Sequence, residues 1–375
     1  MSRALGVMLL TTAENWRGSG ISYGKLERGL TERGHRVELV VSSATVAAEY
    51  ARLGIPARQL SLDRTGAREV LSLLTVARAN KTEVVIVDKP RDLRLAAWMS
   101  MVRPLRIVIR YNRVGRRRPS RFVDRWTAGR AAAALFQNEY IREKALAELP
   151  ILGELRAFVI PNGYDVPEIE SGAASAPAPA WRAAHGIAPT EFVVVSAGFA
   201  EAEKRFDLTV DAMGQLGSRG IDATFVFCGD GPCRVSLEAK ARARGVRAKW
   251  LGTQSSSETL AAIAAADVVA HPSPTEIFGN VLAEAMALST PIVAMRAGGN
   301  VEMLGDDGTT AMLVEDDHPE SFADAIAALH ENRARGCALA AAARKRIVTV
   351  FPLSRMIDGY DTMMQDIAVD MPDAK

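Results

Sequence analysis

Short apolar, β-branched runs alternate with helical patterns along nearly the whole chain, and that alternation constrains the fold more than any other feature. In the first half the runs are 4–10, 36–42, 83–87, 106–111, 133–136 and 157–160, with helical spacing between them, as over 22–33. Runs this short and this uniformly apolar fit strands buried on both faces, so the pattern predicts a parallel sheet covered by helices. A turn, Pro161-Asn162-Gly163-Tyr164-Asp165, and the Ala/Pro/Ser/Gly-rich stretch Ser171–Ala180 then break the rhythm. A stretch of that composition buries little and reads as a linker. A second alternation follows, with strands near 192–196, 223–227, 247–250, 267–270 and 291–294. The prediction is α/β: a first doubly wound domain at 1–166, a linker at 167–186, a second domain at 187–353 and a terminal helix in 354–375. Ligands of such sheets bind beyond the carboxyl ends of the strands, so two of them offer a cleft.

A length of 375 residues suits two domains. The formal charge of +2 excludes a chain-wide polyelectrolyte role. Cys228, Cys233 and Cys337 are too few and wrongly spaced for a disulfide framework or a zinc site, which fits a reducing cytoplasm. The run Ala4–Leu10 is too short for a signal-peptide core, and the chain has no 18-residue apolar segment, so nothing is expected to span a membrane.

The segment with the most chemistry is Glu276-Ile-Phe-Gly-Asn-Val-Leu-Ala-Glu284, preceded by His271-Pro-Ser-Pro-Thr and followed by Ala285-Met286-Ala287. Val281, Leu282, Ala285, Met286 and Leu288 have helical spacing, which puts Phe278, Gly279, Asn280 and Val281 at a helix N-terminus. Free N–H groups and the dipole there favour an anion, and Gly279 allows close approach to the backbone. Glu284 lies roughly 7–8 Å down the axis at 1.5 Å per residue, placed to take a ribose while a diphosphate sits at the helix end. Glu276, on the loop before the helix, faces the group beyond the phosphates. Two glutamates at this spacing, taken alone, would read as a solvated helix face.

The run resembles the donor-site signature of the retaining GT-B glycosyltransferases of family 4 (glycosyltransferase group 1), in which two glutamates with seven residues between them stand in this Pro-Ser, Phe-Gly and Glu-Ala-Met-Ala setting. The resemblance implies a GT-B fold whose last helix, here about 354–368, crosses back to the first domain. It also implies a donor site in the second domain with Glu276 as a catalytic residue. In Ser196-Ala-Gly-Phe-Ala-Glu-Ala-Glu-Lys204-Arg205, Lys204 matches the family lysine that holds the leaving diphosphate, while Phe199 replaces the family arginine; Arg205 is the nearest substitute. Gly229 in Gly-Asp-Gly-Pro matches a strand-end turn that either shapes the cleft wall or is purely structural. Trp250-Leu251-Gly252 matches the segment on which the base packs, so Gly252 joins the donor set with Phe278, Gly279, Asn280, Val281, Leu282 and Glu284.

In the first domain Gly18-Ser-Gly20 follows the first strand and precedes a helix, with Gly18 on the acceptor side and Gly20 able to approach a donor phosphate. Gly24 comes one place late for a dinucleotide fingerprint and Ser42-Ser43 ends the second strand, which argues against an NAD oxidoreductase. His35 matches a family turn and reads as structural. The strand 106–111 ends in Tyr111-Asn112-Arg113, where family members carry a histidine near the acceptor; Asn112 hydrogen-bonds but is no base near neutral pH. Beyond it, ten arginines against Asp124 give residues 103–130 a net +9, with Arg113 and Arg117 the acceptor-side candidates. A solvated face, an anionic acceptor and an anionic membrane surface all fit this charge. Nucleic acid does not, for want of an aromatic platform.

The expected activity is transfer of a sugar, with retention, from a UDP- or GDP-linked donor to a hydroxyl of a glycan or lipid-linked acceptor in bacterial cell-surface assembly. The setting is the cytoplasm or the inner face of its membrane. The nucleotide sugar is a substrate, and with no Asp-x-Asp in the chain no metal or cofactor is expected. A nucleotide-sugar 2-epimerase and a non-catalytic nucleotide-sugar-binding protein are the alternatives.

Overall fold

The computed structural model describes residues 3–16, 18–112 and 121–369. They form two α/β units, Met1–Gly163 with Leu353–Lys375 and Tyr164–Pro352.

The first unit holds β1 (Gly6–Thr11), β2 (Arg36–Val41), β3 (Arg58–Gln59), β4 (Thr82–Val87), β5 (Arg106–Tyr111), β6 (Ala133–Phe136) and β7 (Arg156–Val159). All pairs are parallel, in the order β3-β2-β1-β4-β5-β6-β7. The chain thus winds outward from β1, then returns to build the other side from β4, and the reversal between β1 and β4 opens a crevice at their carboxyl ends. The helix Leu353–Ala368 belongs to this unit: Met356, Ile357, Tyr360, Met363 and Met364 are buried with Leu26, Leu30 and Ile160. Gly29 makes room for it, since a Cβ there would lie 2.6 Å from Ile357. His35 is structural, as read: its Nδ1 accepts the Leu5 N–H at 3.1 Å and its Nε2 lies 3.1 Å from Asp361 Oδ1.

The second unit holds β8 (Phe192–Ala197), β9 (Ala223–Cys228), β10 (Ala248–Gly252), β11 (Val268–His271), β12 (Ile292–Met295) and β13 (Met312–Val314), parallel in the order β10-β9-β8-β11-β12-β13. Its reversal lies between β8 and β11, paired at Val194–Val268 and Val195–Val269.

Two expectations need correction. Residues 167–186 are no linker: Val166–Ala174 and Ala178–Ala184 are helices that bury Ile169, Ala173 and Trp181 in the second unit. Asp165 caps the first of them by accepting the Glu168 N–H at 3.0 Å, and prolines open both. Gly18 and Gly20 do not precede a helix but form the first turn of Gly18–Glu32. There Gly20 packs against the Trp16 ring, which a Cβ would approach to 3.0 Å. The short strands β3 and β13 carry too few residues to show a pattern.

Candidate donor site of the second unit

Because β8 and β11 are hydrogen-bonded neighbours, the loops that follow them emerge side by side. The first carries Lys204 and the second Glu276. Lys204 Nζ donates to Glu276 Oε1 at 2.5 Å, and His271 Nε2, at the end of β11, lies 3.3 Å from the same oxygen. Burial by itself would raise the Glu276 carboxyl; the His271 ring and the Lys204 ammonium outweigh it and bring the carboxyl down to about 2. The Lys204 ammonium donates to Oε1, and the His271 ring lies against the same oxygen. His271 was passed over in the sequence because a histidine closing an apolar strand reads as part of that strand.

The first loop is held by glycines for a steric reason. Gly229 has φ +156°, and a Cβ there would lie 1.9 Å from the Gly198 carbonyl oxygen. Gly231, φ +152°, would put a Cβ 2.6 Å from Ala200. Backbone bonds close this contact: Gly198 N–H to Cys228 O and Ala200 N–H to Asp230 O, each 2.9 Å. The Gly-Asp-Gly turn is therefore the bed on which the Lys204 loop rests. Gly252, φ +73°, bridges Gly229 from the next strand.

The second loop is tied down by the chain that follows β12. Gly299 N–H donates to Glu276 O at 2.8 Å, and Asn300 Nδ2 donates to Ser273 O at 2.9 Å and Met295 O at 3.0 Å. From Gly279 the helix Asn280–Ala287 begins with no side-chain cap. The Gly279 carbonyl already takes the amides of Leu282 and Ala283, and helix geometry leaves those of Asn280 and Val281 at the mouth. Phe278 and Leu282 do not reach this mouth with their side chains. Leu282 is wholly buried, and Phe278 lies between Tyr164 and Phe351, at ring-centroid distances of 6.2 Å and 5.3 Å. Asn280 Oδ1 accepts the Tyr164 hydroxyl at 3.1 Å. Glu284 sits half-buried further along the same helix.

Arg205 is not brought to the cluster. Its backbone is left-handed (φ +53°), and its side chain pairs with Asp317 at 3.0 Å and Asp207 at 3.5 Å. Adjacent residues leave the turn in different directions, and Phe199, where the family arginine would stand, is exposed. In the first unit Asn112 is half-buried against Asp88. Arg113 and Arg117 lie outside the described residues. The net +9 is not all surface either, since Arg110 is fully buried, donating to Ser22 Oγ at 2.7 Å.

Residues 177–346, nearly all of the second unit, match the family model of glycosyl transferases group 1. The second unit is a group 1 glycosyl transferase domain. Around this glycosyl transferase domain the likeness extends over most of the chain. A GDP-mannose-dependent alpha-(1-6)-phosphatidylinositol dimannoside mannosyltransferase of Mycobacterium tuberculosis is 28% identical over 333 residues, covering 81% of this chain and 82% of the relative. An alpha-D-kanosaminyltransferase of Streptomyces kanamyceticus is 35% identical over 136 residues, 36% of this chain and 35% of its own. Among solved structures, Anabaena Alr3699/HepE in complex with UDP-glucose has a TM-score of 0.80 at 19% identity, covering 96% of this chain and 99% of that one. Sucrose-phosphate synthase of Thermosynechococcus elongatus has a TM-score of 0.78 at 16% identity, covering 98% and 100%. The fold is GT-B, and the glycosyl transferase match is that of the second unit.

Proposed function

We propose that the chain is a retaining, metal-independent hexosyltransferase that takes its sugar from a GDP- or UDP-linked donor. The observation that carries this reading is the Lys204–Glu276–His271 cluster beside the mouth of the helix Asn280–Ala287. The diphosphate sits at that mouth on the amides of Asn280 and Val281, with Lys204 as its mobile cation, and Glu284 takes the ribose. As the glycosidic bond breaks, charge grows on the leaving phosphate; the helix end and Lys204 oppose it without reorganisation, which is the role a metal would otherwise fill. Glu276, ionised, faces the transferred sugar as its ring becomes cationic. The acceptor hydroxyl attacks on the face the diphosphate leaves and passes its proton to the leaving phosphate.

Acceptor recognition falls to the first unit, with a glycan or lipid-linked acceptor presented at the cytoplasmic face of a membrane. No helix among the described residues is long and apolar enough to cross one. Peripheral contact is supported by the helix Pro90–Val102, whose last turns expose Trp98 (46%), Met101 (54%) and Val102 (61%). Trp98 lies 5.2 Å from Trp126, and Arg130 stacks on Trp126 at 4.9 Å. Apolar side chains beside arginines suit the interface of an anionic bilayer.

The test is incubation of the purified chain with GDP-mannose or UDP-glucose, in EDTA, with vesicles containing phosphatidylinositol. Transfer that keeps the donor's anomeric configuration supports the reading; an inverted product or strict metal dependence refutes it.

A further inference from the structure

Strand order brings two loops together in each unit, but the two crevices differ in what they leave open. In the first, the buried acids are engaged by their neighbours: Asp88 Oδ1 accepts the Thr11 hydroxyl at 3.2 Å, and Asp92 Oδ1 accepts the Thr12 N–H at 2.9 Å. In the second, His271 is buried, yet neither of its ring nitrogens closes a hydrogen bond among the described residues. A buried ring nitrogen without a partner is destabilising, so its presence here calls for a reason.

The surroundings of the ring supply one. Lys204 and Glu276 are carried on loops. His271 is instead the last residue of β11, paired with Ala294 of β12, so the sheet fixes its backbone. Its Nε2 lies 3.3 Å from Glu276 Oε1, and a Cβ on Gly279 would come within 3.6 Å of the same nitrogen. The ring edge therefore sits beside both the Glu276 carboxylate and the mouth of the helix Asn280–Ala287. Lys204 Nζ already takes Oε1, at 2.5 Å, and the ring stands as a second donor next to an occupied oxygen. An ionised carboxylate only accepts, so a bond from the ring needs the hydrogen on Nε2. The neutral Nε2–H tautomer and the protonated ring both provide it.

We propose that His271 is the positioning residue of Glu276: as the donor's phosphates draw Lys204 away, Oε1 closes on His271 Nε2, and the ring holds the carboxylate against the transferred sugar. This rests on the transferase reading above and adds to it a hand-over between two hydrogen-bond donors of one oxygen. His271 touches no substrate and acts through Glu276. Without it, departure of Lys204 would leave the carboxylate free to change rotamer just as the sugar becomes cationic. A misplacement of about 1 Å at such a stage costs on the order of a hundredfold in rate.

The test compares His271→Leu, His271→Gln, Glu276→Ala and the double variant His271→Leu/Glu276→Ala with the wild-type chain. Leucine keeps much of the ring's bulk without a donor, and glutamine keeps a donor at a similar reach from the backbone. Single-turnover release of nucleoside diphosphate is followed from GDP-mannose and from UDP-glucose, and GDP and UDP affinity is measured by calorimetry. His271→Leu should lower the rate about tenfold or more, with nucleotide affinity within about threefold of wild type. His271→Gln should recover the rate to within about threefold of wild type. In the Glu276→Ala background, His271→Leu should change the rate by less than about twofold, because the residue it positions is gone. Equal rates in His271→Leu and His271→Gln, the same loss with and without Glu276, or a loss of nucleotide affinity that parallels the loss of rate would overturn the proposal and leave the transferase reading intact. A wild-type chain that releases diphosphate from neither donor would overturn both.

Discussion

Lys204 Nζ and Glu276 Oε1 are 2.5 Å apart although 72 residues separate them in sequence. On the proposed reading, the cation for the leaving diphosphate and the carboxylate for the sugar are each other's hydrogen-bond partner. On that reading, a bound donor draws Lys204 from Glu276 toward its phosphates. The bond orients both side chains toward one another.

Loss of that cation is expected to act on the chemical step. Lys204→Ala should lower turnover at least about a hundredfold, since the charge it meets grows as the bond breaks. Single-turnover kinetics with saturating donor check this; a change confined to donor KM would show that Lys204 binds ground state and transition state alike.

Arg205→Ala is expected to leave turnover within about threefold of wild type. Its guanidinium is engaged by Asp317 and Asp207, and partly exposed pairs of this kind contribute at most about 1 kcal/mol. Steady-state rates on the variant decide, and a hundredfold loss would place Arg205 on the diphosphate after all.

Glu276 also sets a pH dependence of stability. Its folded carboxyl, held to about 2, lies below the ordinary 4.5, so its contribution is complete above pH 4.5 and is lost as pH falls toward 2. The difference amounts to about 3 kcal/mol. Urea unfolding at several pH values between 5 and 2 should show Glu276→Gln losing less stability across this window than wild type.

Gly229→Ala is expected to be severe, because its Cβ would collide with the backbone of Gly198 rather than with a movable side chain. Thermal unfolding should shift down by several degrees, and nucleotide affinity should fall with the displaced Lys204 loop. A variant as stable as wild type would contradict the close contact.

The strand and helix rhythm was legible because buried parallel strands must be apolar on both faces, and Glu276, Lys204, Gly279 and Glu284 stood out because their two loops resemble the family's donor-site motifs. What spacing could not show was strand order. The contacts Lys204–Glu276 and Thr11–Asp88 exist only because β8 lies beside β11 and β1 beside β4, so His271, Asp88 and Asp92 carried no local signal. The stretch 167–186 misled for another reason. Alanine and proline dominated its composition, while the cap Asp165 with Glu168 three residues on, and the apolar Ile169 and Trp181, marked helices that pack. That Arg205 pairs with Asp317 and Asp207 was not legible, because proximity in sequence says little about direction when the backbone turns left-handed.

The central claim is that the helix Asn280–Ala287 holds a nucleoside diphosphate, with Glu284 on the ribose and Glu276 on the transferred sugar. Calorimetric titration of GDP and UDP into wild type, Glu284→Ala and Glu276→Ala tests it most directly. The account predicts that the preferred nucleotide binds wild type, loses roughly tenfold or more in affinity in Glu284→Ala, and is held within about threefold of wild type by Glu276→Ala, whose turnover is nonetheless impaired. Equal loss in the two variants, or no binding of either nucleotide to wild type, would contradict it.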